Sequence, residues 1–521
     1  MRTAAHRILD LSLLAAALAV AVFTLYLCWT GYSAAPFADG WAVLFSYADA
    51  GFHVTPGWLL GFHNEHRPLF ARLPILADLL WAGGGSLIPF GLIILAQSAQ
   101  ALLLWWIAGK QPWFEERHRV TMMAWAVFCC FSFAQIENFV WAFQIAFVLN
   151  FVFATAAWVG LALQKERQSP YWSALVFLGG FGAPLCLASG LLVWWIAVAM
   201  AIAIRLPRKW IAIYAFAGAV TSLLYAQGYS RPANHMGPLQ ALQRPADLAQ
   251  YVAIYLGYSW KQWSVVLGEL LAAGATLLLG VRVVGLFRTE PRNPWEAAPA
   301  AVMLFAWGTG FLCALGRLNF GLEQAQSSRY QTPALLFWYA AALLAFAALS
   351  RYSIHWTAGL STILFVTMAL TFKEMPSVLD GIRARRSAAD ETEAAWVSGV
   401  SDERLFAWNQ LRLHAPYRER RLGLFSVSPG SEMGTIVNAG RIQDACEGHF
   451  DRDAAFFHPQ WPGIRLRSSA SVNRFIVVGA DGRVVGVGVH NVAYAAVKNP
   501  SETVTVYGLL SGGKLCSVPA R

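Results

Sequence analysis

The densest chemistry in this chain is the run Phe62-His63-Asn64-Glu65-His66-Arg67-Pro68, which sets two imidazoles, a carboxylate, an amide and a guanidinium side by side. Such groups relay protons, orient hydroxyls and hold phosphates. His63 and His66 stand three apart with Glu65 between them. That is not the His-Glu-x-x-His spacing of a zinc helix, so substrate hydrogen bonds or structural histidines are favoured over a metal. The planar fork of Arg67 suits a phosphate, and it suits Glu65 or a lipid headgroup equally well.

Three further clusters carry similar chemistry. Gln135, Glu137 and Asn138, followed by Trp141 and Gln144, put amides and a carboxylate beside an aromatic ring. Sugar sites use that mixture, although a turn between two apolar spans needs polar residues in any case. Arg317, Ser328, Arg329 and Tyr330 form the next cluster, with Glu323 as a structural partner and an anionic phosphate as a functional one. Asp39, in Pro36-Phe37-Ala38-Asp39-Gly40, reads either as a helix N-cap or as a catalytic carboxylate. The sequence contains no P-loop, G-x-S-x-G, paired C-x-x-C or Rossmann fingerprint.

The elements that must position these residues are membrane helices. Of 521 residues, 57% are hydrophobic and 13% charged, with a mean hydropathy of +0.47; soluble domains carry about 25% charge. Apolar stretches of roughly 20 residues, enough to cross a bilayer, recur from Ile8 to Phe372 and then stop. About eleven spans are predicted, near 8–30, 88–109, 119–136, 140–163, 172–186, 188–205, 210–227, 264–286, 298–316, 333–350 and 355–372. Gly179, Gly180, Gly182 and Pro184 interrupt the fifth and sixth. The run from Met1 to Cys28 is too long for a cleaved signal peptide and reads as a retained first span. Arg67–Leu80 reads as a helix lying in the interface.

Orientation follows from Lys and Arg. With Arg2 and Arg7 in the cytoplasm, Lys110, Arg117, Arg119, Lys165, Arg167, Arg205, Arg208, Lys209, Arg282, Arg288, Arg292 and Arg351 all fall inside. All four polar clusters then fall outside, together with Arg231, His235 and Arg244. The net charge of +10 is thereby explained by orientation, and no nucleic-acid partner is implied. An odd number of spans places the tail outside, where Cys446 and Cys516 can form a disulfide. The other five cysteines lie in apolar spans.

The fold expected is thus mainly α: a polytopic membrane helix bundle followed by a soluble β-sandwich-like domain. Residues 1–372 form the membrane domain and 373–421 a helical linker, with apolar positions at Trp396, Leu405, Trp408, Leu411 and Leu413. Residues 422–521 form the β-rich domain, in which Arg474–Val489 reads as two strands about an Asp481-Gly482 turn. Thr503–Leu510 reads as another strand.

In these features the chain resembles the GT-C class of multi-pass glycosyltransferases. It shares a first span followed by a long outward loop with an early acidic residue, an interfacial helix, a many-span membrane domain and an external C-terminal domain. The segments His63–Arg67, Gln135–Gln144 and Ser328–Tyr330 are similar to segments of bacterial membrane proteins grouped with that class. The resemblance implies a bacterial inner-membrane enzyme that moves a sugar from a polyprenyl-phosphate carrier to a glycan, lipid or protein acceptor outside the cytoplasm. It makes Asp39 the general base, with Glu65 or Glu137 as a second carboxylate, since Gly40 stands where the class commonly has a paired acid. His63, Asn64, His66, Arg67 and the other two outward clusters then bind substrate. No cofactor is required, and a divalent metal is left open. The alternatives are a flippase or transporter, pointed to by Glu269 and the interruption at Pro184, and a ligase or polymerase of lipid-linked saccharides.

Overall fold

In a bilayer every backbone N–H and C=O must be satisfied within the protein, and helices do this one segment at a time. The computed structural model describes residues 4–521 except 290–292, 351, 353, 400–410, 428–431, 454–463, 470, 471, 473, 490, 491, 498–500, 511, 512 and 521. Arg2, Arg292, Arg351, Leu405 and Trp408, used above, lie outside the described residues. Among the described residues, eight helices are long and apolar enough to cross a membrane: Arg7–Thr30, Leu87–Gly109, Ala142–Arg167, Arg208–Ala226, Val265–Arg288, Pro294–Phe320, Ser328–Leu349 and His355–Ser398. The mainly α bundle with a C-terminal β domain is therefore as expected. Three of the eleven expected spans are shorter helices.

Two of the three form a hairpin. Ser173–Gly182 has 10 residues, so it rises only about 15 Å, and Leu192–Ala203 returns after the 3-10 turns Ala183–Leu185 and Ala188–Leu191. A Cβ on Gly190 would sit 2.1 Å from the carbonyl carbon of Ala183, so only glycine lets the two limbs meet. The third short helix, Arg119–Phe131, ends where Ser132 turns to extended backbone and caps the amide of Ala134.

The chain divides into two compact units. Residues 1–29, 59–72 and 90–379 form the first, and residues 30–58, 73–89 and 380–521 the second. In the first unit the helix ends that carry Lys and Arg meet one another. Lys110 pairs with Glu166 at 3.1 Å, and Lys165 donates to the carbonyl of Arg205 at 3.2 Å. Arg282 pairs with Glu296 at 3.1 Å. These charges therefore gather at one end of the bundle, as their assignment to one face requires.

The second unit joins the first loop to the tail. Trp41 packs edge-on against Trp396 with centroids 5.0 Å apart, and the Tyr417 hydroxyl donates to the Leu44 carbonyl at 2.9 Å. The carboxylate of Asp78 accepts from the amides of Ser86 and Ile88 at 2.6 and 2.8 Å, capping the start of Leu87–Gly109. Ser398, the last residue of the helix Met375–Ser398, anchors that helix on the sheet by donating to the Tyr494 carbonyl at 2.8 Å and accepting from the Val487 amide at 3.0 Å.

Eight strands follow: β1 Ile442–Ala445, β2 Phe450–Asp453, β3 Ile464–Ser468, β4 Arg474–Gly479, β5 Val484–Val489, β6 Val492–Ala495, β7 Val504–Leu509 and β8 Leu515–Val518. They make one sheet in the order β1-β8-β7-β4-β5-β6-β3-β2. Its edge strands β1 and β2 are consecutive in sequence, and Phe450 bridges to Ala520 just beyond β8. The sheet must curl to bring its edges together, so a half-barrel replaces the two facing layers of a sandwich. Phe475, Val477, Leu466 and Val506 fill its concave core. Gly486 makes a close strand approach possible, since a Cβ there would lie 2.0 Å from the Tyr494 carbonyl oxygen. Cys446 and Cys516 are joined in a disulfide 70 residues apart, a closure that restricts the unfolded chain by about 4 kcal/mol in the entropic account.

Candidate functional site

The His63–Arg67 run folds as a tight reversal. His63 and His66 exchange backbone hydrogen bonds at 2.8 and 3.0 Å, and Asn64 takes the left-handed conformation (φ 51°) that asparagine tolerates. This turn aims Glu65 at the end of the helix Ala298–Arg317. There the Glu65 carboxylate meets Arg317 Nη2 at 2.9 Å, His66 Nε2 at 3.3 Å and His235 Nδ1 at 3.6 Å. Burial alone would raise the Glu65 carboxyl. The favourable electrostatics of the adjacent His66 ring, whose Nε2 faces the carboxylate, and of the Arg317 guanidinium, with the hydrogen bond from Arg317, outweigh it and hold the group at about 2. Glu65 is therefore an anchoring anion at neutral pH and a poor proton acceptor.

The two histidines of the cluster differ in what is left to react. His66 Nδ1 accepts from the Ala188 amide at 3.1 Å, so its ring proton sits on Nε2, toward Glu65. Both nitrogens are engaged, and His66 ties the reversal to the apex of the short hairpin. His235 turns Nδ1 toward Glu65, while its ring packs edge-on against Phe320. Burial pushes the His235 pKa down; the Glu65 charge opposes this and Arg317 reinforces it. In sequence His235 registered only as outward charge, because nothing in its spacing links it to Glu65.

Around this cluster lies a cavity of about 230 Å³ within the first unit. Arg231, His235, Arg317 and Glu65 give it a charged side, and Phe147, Phe151, Leu312 and Leu315 give it an apolar one. Arg67 does not line it. Its guanidinium donates to the carbonyls of Leu60, Tyr225 and Gln227, closing the end of the helix Arg208–Ala226, and it stacks 3.9 Å over the Phe62 ring. His63 lies edge-on to Phe143, with centroids 5.2 Å apart.

The Gln135–Gln144 and Ser328–Tyr330 segments, far apart in sequence, are stitched together. Glu137 accepts from the Arg329 amide at 2.9 Å and from Ser327 Oγ at 3.2 Å. Asn138 Nδ2 donates to the Arg329 carbonyl at 2.9 Å and to Thr332 Oγ1 at 2.7 Å. Ser328 Oγ donates to the Ala134 carbonyl at 2.9 Å. Gln135, fully buried, donates to the Cys129 and Cys130 carbonyls at 2.9 and 3.0 Å and accepts from Thr332 and Gln97. Arg329 lies 5.8 Å above the Trp141 ring. Gln144 is buried beside this seam, and its carbonyl oxygen has no hydrogen-bond partner. Arg317 Nη1 donates to the Tyr330 hydroxyl at 3.2 Å, which joins the seam to the Glu65 cluster.

Asp39 belongs to the second unit. It is the first residue of the helix Asp39–Asp49, where Ala38 holds the cap position, so its carboxylate complements the helix dipole from the first turn and does not cap. Among the described residues, no group of three or more His, Cys, Asp or Glu side chains is placed to hold a metal ion.

No protein-family model matches the chain, and neither does any curated protein or solved structure. The chain is a multi-pass helical membrane protein with a C-terminal β-sheet domain.

Proposed function

We propose that this protein is a membrane glycosyltransferase that takes a sugar from a polyprenyl-phosphate carrier and passes it to an acceptor outside the cytoplasm. The observation that carries the reading is the two-sided cavity. Arg231, Arg317 and His235 beside an apolar wall suit a ligand with an anionic head and a hydrocarbon tail. The guanidiniums of Arg231 and Arg317 there offset the charge that develops on a departing phosphate. His235, with Nδ1 toward Glu65, is a hydrogen-bonding group in the cavity. Asp39, the base that the family resemblance implies, rests on that resemblance and not on the cavity.

Orientation supports an external site. The first loop and the disulfide-bearing tail share one unit, so an even number of crossings separates them. Seven of the long helices lie between them, which makes Arg119–Gln135 an eighth crossing. The short hairpin leaves and returns to the Lys165 end and does not alter this parity. Disulfides persist in oxidising compartments, which supports an external tail and first loop.

A transporter of lipid-linked saccharides is the second reading, favoured by the Gly- and Pro-broken hairpin whose apex lines the same cavity. Purified protein in liposomes, given a prenyl-phosphate sugar labelled in the sugar, separates the two. Transfer to an acceptor supports the enzyme, and movement of intact label across the bilayer supports the transporter. Asp39→Asn is expected to abolish transfer with unchanged membrane expression, and retained activity removes Asp39 from the mechanism.

A further inference from the structure

A cavity of about 1010 Å³ opens between the helices Val265–Arg288 and Gln331–Leu349 of the first unit, at the end of the bundle where Lys110 and Arg282 lie. It follows the first helix from Ala275 to Thr289 and the second from Ala341 to Ser350. At the rise of an α-helix these stretches run about 21 and about 14 Å. Half of a hydrocarbon core is about 15 Å deep, so the cavity has the depth of one leaflet. It is also open sideways: Leu278 and Val281 line it, yet are 67% and 72% exposed.

The walls are Ala275, Leu278, Leu344, Ala345 and Ala348, short or aliphatic side chains that leave room for hydrocarbon. The polar residues sit toward the helix ends, and most of them are spent within the protein. Thr289 Oγ1 donates to the Gly285 carbonyl at 3.0 Å and Ser350 Oγ to the Ala347 carbonyl at 3.3 Å. Gln111 gives its amide to the carbonyls of Ile107 and Trp295 at 3.0 and 2.9 Å. What remains is one ion pair. Arg282 Nη2 meets Glu296 Oε2 at 3.1 Å, and the two side chains keep 31% and 20% of their surface exposed. Each has capacity for a second contact, since a guanidinium has further N–H donors and a carboxylate further lone pairs.

From this we infer that the cavity binds a phospholipid whose headgroup joins a phosphate to a primary ammonium. An anionic headgroup would bring uncompensated charge beside Glu296. A lipid without charge would leave the ion pair facing hydrocarbon, which is costly. The zwitterion meets both demands: its phosphate accepts from Arg282, its ammonium donates to Glu296, and its acyl chains lie along Leu278 and Ala345. A quaternary ammonium has no N–H to donate and matches the site less well. Binding here is independent of sugar transfer.

The test is native mass spectrometry of the full chain in detergent micelles with phosphatidylethanolamine, phosphatidylglycerol or phosphatidylcholine of identical acyl chains. Phosphatidylethanolamine is expected to be held about tenfold more tightly than either, the size of one charge-assisted hydrogen bond. Glu296→Gln keeps an acceptor for the Asn293 amide but leaves Arg282 uncompensated, so it should turn the preference to phosphatidylglycerol. Ala345→Phe, on a partly exposed wall, fills open space and should remove the preference altogether. His235→Gln, in the Glu65 cavity, should leave it unchanged. The inference is overturned if phosphatidylethanolamine is not the lipid held most tightly, if Glu296→Gln leaves the order as it was, or if the preference survives Ala345→Phe.

Discussion

Two cavities of the first unit share one wall, the segment 326–335, but differ in chemistry. Around Glu65 the ionised carboxylate pairs with Arg317, and two imidazoles turn toward the same group. Around Gln331 the polar groups are neutral apart from the pair Lys261–Glu374, and they sit beside apolar Phe128, Phe133, Ile136 and Leu335. Charge in a partly buried setting must be compensated, so the Glu65 cluster holds itself in place and leaves Arg231 to meet an anion. Buried amides and hydroxyls need partners too, at the smaller cost of about 1–3 kcal/mol each.

The sharpest way to break this contrast is Arg317→Gln, which leaves the Glu65 carboxylate without its nearest cation. A loss of about 3 kcal/mol is expected, the low end for breaking a buried pair, read as a fall in melting temperature. Arg317→Gln with Glu65→Gln should recover part of it, and the coupling in that cycle measures the pair. An equal loss in single and double variants would mean that the pair is incidental.

Acid gives the next effect. Glu65 sits near 2 in the folded protein against an ordinary value of 4.5, so its contribution is fully present above about pH 4.5 and lost as pH falls toward 2. The melting temperature of wild type should fall more steeply over that window than that of Glu65→Gln. Parallel curves would contradict the assignment.

On the neutral side, Asn138→Ala removes the donor shared by the Arg329 carbonyl and Thr332. The cost expected is about 2 kcal/mol, with no dependence on salt. The smallest effect is that of Tyr330→Phe, which takes from Arg317 only one of its two partners and should cost about 1 kcal/mol.

Much of this was legible in sequence. The apolar runs, the Lys and Arg at alternate ends, and the change of texture after Leu422 each reflect local chemistry. The Asp481-Gly482 turn joins its two strands as read. Hairpin formation by Ser173–Ala203 was harder to see, because apolar composition does not distinguish a full span from a returning one. The curl of the sheet depends on which strands are edges, a non-local fact. Arg67 looked like a phosphate ligand, yet its type suits three helix-end carbonyls equally. His235 and the Gln331 cavity depend on segments more than 100 residues apart meeting, which no spacing encodes.

The central claim is that the Glu65 cavity takes the charged head of a lipid. It is tested most directly by measuring retention of labelled prenyl phosphate and of the uncharged prenol by the full chain in micelles. The phosphate should be held at least about tenfold more tightly, the size of one charged hydrogen bond, and Arg231→Gln with His235→Gln should erase the difference. Equal retention of the two lipids, or a preference untouched by those substitutions, would contradict it.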